Sequence, residues 1–278
     1  MNVKKFISDT GSEYITSRQN PRVVLYSGLK EEKIRVREKL FSAEGTKLTE
    51  EAIENAEVKE ILVSEAFFDS PLCERIFEAA LQKRIKITVL ADTAFEKIST
   101  EKAPQGVIAI VKMMSGLHVS DGFDEWQADK RLIMLDEIRD PGNLGTIIRS
   151  SEALGIDGII LAGCADIYNP KTVRSAMGAL FRMPIYVSSD APEAVKRLKN
   201  TGRRVICATL GENNLTLGEY ETKKSDCIVI GNEGHGISPD VIAESGICVR
   251  IPMAGETESL NASAAAVCIM WEYYRQNR

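Results

Sequence analysis

Three stretches of the 278-residue chain combine polar side chains with glycine in ways that suit chemistry. The first, DEIRDPGNLGTIIRSSEALG (136–155), leaves an apolar run and enters a helical pattern. At about 100° per residue, Leu144, Ile147, Ile148, Ser151 and Leu154 form one stripe and Arg149 falls opposite it. Arg149 is therefore free to face a ligand, a neighbouring loop or solvent. Asn143 is either a site group or the cap of that helix. The second stretch, CIVIGNEGHGIS (227–238), is an apolar run ending in Gly231, Gly234 and Gly236, with Asn232 and Glu233 among them. Such glycines let the backbone approach a flat or polar ligand closely, and they equally make an ordinary turn. The third, RIPMAGETESLNASAAAV (250–267), passes Pro252 and Gly255 before a helix for which Ser259 and Asn261 compete as N-cap. Met253 and Leu260 offer an apolar wall there.

Other chemistries fit poorly. The glycine spacing is GxxGxG and comes late in the chain, unlike the GxGxxG of a dinucleotide site, and no P-loop is present. Only two histidines occur, His118 and His235, so a His general base has little to draw on. The six cysteines form no CxxC pair. The expectation is buried free thiols in a reducing cytoplasm and no metal. No apolar run approaches the roughly 20 residues of a membrane span, and the N-terminus lacks the apolar core of a signal peptide.

The elements that must position these residues fall into two halves. In residues 1–112, apolar β-branched runs at 58–64, 85–91 and 106–112 predict strands. Helical spacing at 46–56 and 71–83 predicts helices. This half reads as a small α/β domain. Residues 113–130 lose the pattern and read as a linker. From Arg131 to Arg278, continuous apolar runs at 131–136, 157–162, 183–188, 204–209, 227–231 and 248–252 predict a parallel sheet covered on both faces. Helices are expected from about Leu144, from Asn169-Pro170 and from Asn261. Such a sheet binds ligands beyond the carboxyl ends of its strands, where the three stretches lie.

The net charge of −5 excludes a globally basic nucleic-acid binder, although not a local basic face. Eight basic and four acidic residues lie between Arg18 and Lys47. Arg18, Gln19, Asn20 and Arg22, with Lys33, Arg35, Arg37 and Lys39, are candidates for phosphate contact or for a solvated charged face.

Taken in order, DPGNLGTIIRSSEALGIDGIIL (140–161), IVIGNEGHGIS (228–238) and IPMAGETESLNASAAA (251–266) resemble the three motifs of the SpoU (TrmH) family of RNA ribose 2′-O-methyltransferases. NPKTVRSAMGALFRMP (169–184) also resembles the family. ITSRQNPRV (15–23) and FSAEGTKLTEEA (41–52) are similar to its substrate-binding domain, an α/β fold like a small ribosomal protein.

The resemblance implies an α/β methyltransferase domain threaded through a deep trefoil knot. It implies S-adenosylmethionine as cofactor, held by Thr209, Leu210, Gly231, Asn232, Gly234, Ile251, Met253, Leu260 and Asn261. It implies a homodimer, with the last helix in the interface and Arg149 acting near the partner's cofactor. Asn143, Arg149, Glu233, Ser259 and Asn261 are the implied catalytic set. The implied RNA contacts are Arg18, Gln19, Asn20, Arg22, Arg35 and Arg37, and ribosomal RNA is the expected substrate. Transfer RNA, a resistance methylation of ribosomal RNA, and non-catalytic RNA binding on the same fold remain alternatives.

Overall fold

The computed structural model describes residues 3–114, 119–120, 129–211, 214–257 and 259–278, and of Val119 and Ser120 only the backbone. Contacts group it into two units, Met1–Met114 with Tyr168–Phe181, and Ser115–Ile167 with Arg182–Arg278. Most of the linker expected at 113–130 lies outside the described residues.

The first unit runs α1 (Val3–Thr10), β1 (Glu13–Ile15), α2 (Pro21–Ser27), α3 (Glu32–Glu38), β2 (Leu40–Glu44), α4 (Thr46–Asn55), β3 (Val58–Ser64), α5 (Cys73–Gln82), β4 (Lys86–Leu90), α6 (Asp92–Ile98) and β5 (Val107–Lys112). Its sheet has the order β1-β4-β3-β5-β2. Strands β1, β4 and β3 are parallel, and β5 is antiparallel to both its neighbours. Side chains alternate across a strand, and β3 uses this fully. Ile61 and Val63 join the core that holds Phe6 and Phe77, while Leu62 joins the core that holds Val23, Tyr26 and Phe95. Apolar layers on both faces explain the apolar runs Ile61–Val63 of β3 and Val107–Val111 of β5.

The second unit begins with β6 (Val119–Ser120), β7 (Leu132–Asp136), α7 (Pro141–Ala153) and β8 (Gly158–Ala162). Helix α8 (Pro170–Ala176) then joins the first unit. Phe41 packs its ring against Tyr168 and Phe181, with centroids 4.8 and 6.2 Å away. Arg174 pairs with Glu101, and Asn169 caps the helix through Lys171 N, as the Asn-Pro pair predicts. The second unit resumes with β9 (Ile185–Ser188), α9 (Ala191–Asn200), β10 (Val205–Ala208), β11 (Leu215–Thr216), β12 (Cys227–Ile230), α10 (Pro239–Ser245), β13 (Ile247–Arg250) and α11 (Ala262–Gln276).

Its strands lie in the order β11-β13-β10-β12-β7-β8-β9-β6, with every pairing parallel. The central strand β7 is buried along its whole length. Among the described residues, no helix is long and apolar enough to cross a membrane.

One boundary differs from the sequence reading in a way that matters for the site. Helix α7 starts at Pro141, with Asp140 as N-cap accepting from Asn143 N at 2.8 Å. Asn143 therefore lies inside the first turn, and its side chain is released from capping.

Candidate functional site

The sequence that follows β12 folds back at once. A Cβ on Gly231 would lie 2.3 Å from Ile237 N and 2.4 Å from Gly236 C, so only glycine allows this approach. Asn232 and Gly236 exchange both backbone hydrogen bonds, at 3.0 and 3.1 Å, which leaves Glu233, Gly234 and His235 as a three-residue tip. Asn232 stitches the tip from within. Its Oδ1 accepts from Gly234 N at 2.7 Å, and its Nδ2 donates to the Glu137 carbonyl at 2.7 Å.

Asn143, freed by Asp140, joins the three chemical stretches. Its Nδ2 donates to Glu233 Oε1 at 2.7 Å. Its Oδ1 accepts from Asn261 Nδ2 at 3.2 Å. Asn261 also resolves the competition for the cap of α11, because its Oδ1 accepts from Ser263 N at 3.0 Å. Beside this junction lies a cavity of about 460 Å³. It is walled by the ends of β10 and β12, the 231–237 turn, the 251–260 loop and the first turns of α11. Thr209, Leu210, Gly231, Asn232, Gly234, Ile251, Met253 and Leu260 all line it, as do Glu233 and Ser259. Asn261 stands at its edge through its neighbour Ala262.

Arg149 is exposed on α7, with no hydrogen bond or ion pair among the described residues. Six residues beyond Asn143, it lies about 9 Å further along the helix and about 120° around it. It does not line the cavity of its own chain. The sequence reading missed Asp140, Glu137 and His235 as parts of the site. Nothing in residue type marks Glu137; it stands out only in the structure, by its φ of +59°.

The basic cluster of the first unit divides sharply. Arg18 and Gln19 are exposed. The Arg18 carbonyl accepts from Lys97 Nζ at 2.8 Å, which brings a cation from α6 beside it that sequence distance had hidden. Arg37 is exposed and paired with Glu38 at 2.8 Å. Asn20 caps α2 instead of facing outward, accepting from Arg22 N at 2.9 Å. Arg22 pairs with Glu13 at 2.5 Å and with the buried Glu60 at 2.7 Å. Hydrogen bonds from Lys86 and Arg22 hold the Glu13 carboxyl below its ordinary value. Burial and the neighbouring Glu60 push the Tyr26 hydroxyl up. Arg22 is thus committed to an internal charge network. Arg35 is 2% exposed and donates to the carbonyls of Leu29 and Lys30 at 2.8 and 2.9 Å. Arg35, enclosed by internal acceptors, has little left to offer a phosphate, while Arg22, its side chain 29% exposed, is shared between Glu13 and Glu60.

The chain thus consists of an all-parallel α/β unit with a cavity beyond its strand ends and a small mixed α/β unit. The chain belongs to the SpoU rRNA Methylase family, whose model matches residues 130–271, and it is an RNA ribose 2′-O-methyltransferase. Residues 20–109 match the MRM3-like substrate binding domain. The 23S rRNA (guanosine(2553)-2′-O)-methyltransferase RlmP of Bacillus subtilis is 31% identical over 259 residues, covering 92% of this chain and 97% of that protein. The 23S rRNA (uridine(2479)-2′-O)-methyltransferase of Streptomyces viridochromogenes is 34% identical over 198 residues, covering 69% of this chain and 67% of that one. A crystal structure of AdoMet-bound rRNA methyltransferase from Sinorhizobium meliloti superposes with a TM-score of 0.79 at 28% identity, covering 95% of this chain and 98% of that one.

Proposed function

We propose that this chain methylates a ribose 2′-hydroxyl of ribosomal RNA with S-adenosylmethionine held in the 460 Å³ cavity. The observation that carries the reading is the junction at Asn143, where all three polar stretches converge beside that cavity. The volume is within the roughly 300–1,000 Å³ of small-molecule sites. Ile251, Met253 and Leu260 supply apolar wall, while Thr209, Leu210 and the 231–234 turn bring backbone groups to the same space. These residues would hold the cofactor, which when bound supplies an electrophilic methyl group.

The remaining roles fall to side chains of this protein. The ribose must be oriented and its 2′-oxygen stabilised as the proton leaves. Arg149 anchors the RNA phosphate and that oxygen. As a general base it would be poor, since a guanidinium rarely loses its proton. Asn143, Glu233, Ser259 and Asn261 orient the reacting groups. Since Arg149 is exposed and does not line the cavity of its own chain, it is assigned to the cavity of a second copy. The exposed stripe Ala264, Cys268, Trp271 and Arg275 on α11 supports a homodimer through that helix, and Trp271 is 52% exposed. Trp271→Glu should shift the protein from dimer to monomer in sedimentation; an unchanged dimer would place the interface elsewhere.

The same reading assigns RNA capture to residues 1–112, with Arg18, Gln19 and Arg37 as contacts, a linker at 113–130 and catalysis in 131–278, in the cytoplasm. It also includes a trefoil knot. The path supports one: β13 pairs beside β10, not β12, and the chain then returns to pack α11 against α7. The test of function is Arg149→Ala. It should lose methyl transfer to ribosomal RNA while keeping S-adenosylmethionine affinity by calorimetry. Wild-type transfer by that variant would refute the assigned role.

A further inference from the structure

Glu137 follows β7 in the left-handed region, at φ +59°. A non-glycine residue is uncommon there, and such strain persists where the surroundings impose it. Every polar part of Glu137 is engaged. Its N–H donates to the Ala162 carbonyl at 2.8 Å. Its carbonyl accepts from Asn232 Nδ2 at 2.7 Å. Its Oε1 lies 3.2 Å from Arg139 Nη2. Its Oε2 lies 3.1 Å from His235 Nε2. A carboxylate oxygen accepts, so this contact takes the His235 tautomer that carries Nε2–H.

The contacts straddle the three-residue tip that walls the cavity. On one side Glu233 is held by Asn143, at 2.7 Å. On the other, His235 is held by Glu137. His235 itself lines the cavity. The tip is closed at its base by the Asn232–Gly236 backbone pair and held inside by Asn232 Oδ1, which accepts from Gly234 N at 2.7 Å. The Asn143–Glu233 and Glu137–His235 contacts add to these and hold the two flanks of the tip against the β7–α7 segment.

We propose that Glu137 is a positioning residue for the cofactor-binding turn, acting through His235, and that the left-handed strain at residue 137 is retained to aim that carboxylate. This rests on the reading that the cavity takes S-adenosylmethionine. Glycine at 137 keeps the backbone and removes the strain together with the tether. Stability and affinity should then move apart, which a merely structural residue would not produce.

The experiment measures S-adenosylmethionine affinity by calorimetry and thermal unfolding for the full-length wild type, Glu137→Gly, Glu137→Gln, His235→Ala and the Glu137→Gly/His235→Ala double variant. Glu137→Gly should raise the Kd about three- to fivefold, the range of a partly exposed charged contact, with an unfolding temperature equal to or above wild type. Glu137→Gln keeps an acceptor for Nε2–H and should restore most of the affinity. The double variant should be no weaker than the worse single one, because both remove the same tether. Wild-type affinity in Glu137→Gly, or additive losses in the double variant, would overturn the proposal. So would parallel falls in affinity and stability. Absence of S-adenosylmethionine binding by the wild type would instead refute the cofactor reading and with it the role given to Glu137.

Discussion

Gly231→Ala is a severe and local test of the cavity wall. The new Cβ would start 2.3 Å from Ile237 N, 2.4 Å from Gly236 C and 2.6 Å from Gly236 O, all backbone atoms. Since such contacts are essentially never below 3.0 Å, the 231–237 turn must move by at least about 0.7 Å. No side-chain rotation relieves this. Overpacking of this kind costs about 1–3 kcal/mol, and a displacement near 1 Å at a reacting centre can cost on the order of a hundredfold in rate. Calorimetry should find the S-adenosylmethionine Kd raised at least about tenfold, equivalent to about 1.4 kcal/mol. Thermal unfolding should fall by about 2–4 °C for each kcal/mol of strain. Gly28→Ala is the control, because its new Cβ meets only the Ile34 side chain, no closer than 3.4 Å, and its backbone is right-handed. Full affinity and unchanged unfolding in Gly231→Ala would refute the account of this turn.

Asn143→Asp replaces the donor to Glu233 with a second carboxylate. At this exposed junction the stability loss should be no more than about 1 kcal/mol, while methyl transfer falls about five- to tenfold. Adding Glu233→Gln should restore a donor and recover most of the activity. In the first unit, Arg35→Ala should destabilise by about 1–3 kcal/mol by orphaning buried carbonyls. Arg18→Ala should leave unfolding unchanged while weakening RNA binding and flattening its salt dependence. Equal effects on stability would contradict the division of the basic cluster.

The parallel sheet was legible in the sequence because strands buried on both faces must be apolar throughout, as β7 and β8 are. Asn169-Pro170 announced α8 through its own capping chemistry. Strand β2 was hidden because Lys39 takes the left-handed turn that ends α3, at φ +54°, where glycine would have signalled it. The cavity lining was legible through motif resemblance, since backbone approach demands glycine at fixed places. The tethers were not. Asn143 stood in the implied catalytic set, but its bonds to Glu233 and Asn261 were not legible, because from sequence it could equally cap the helix, a role that Asp140 fulfils. Glu137 and His235 meet across 98 positions of sequence, and nothing in either residue's type signals the other. Charge counting has a related blind spot: it cannot tell a cation enclosed by internal acceptors, such as Arg35, from one facing solvent.

The central claim is most directly tested by incubating the purified protein with radiolabelled S-adenosylmethionine and ribosomal RNA from cells lacking the gene, then mapping the labelled nucleotide. The account predicts label on one ribose 2′-oxygen, abolished by Arg149→Ala although that variant still binds the cofactor. Label on a base, label only on transfer RNA, or undiminished transfer by Arg149→Ala would contradict it.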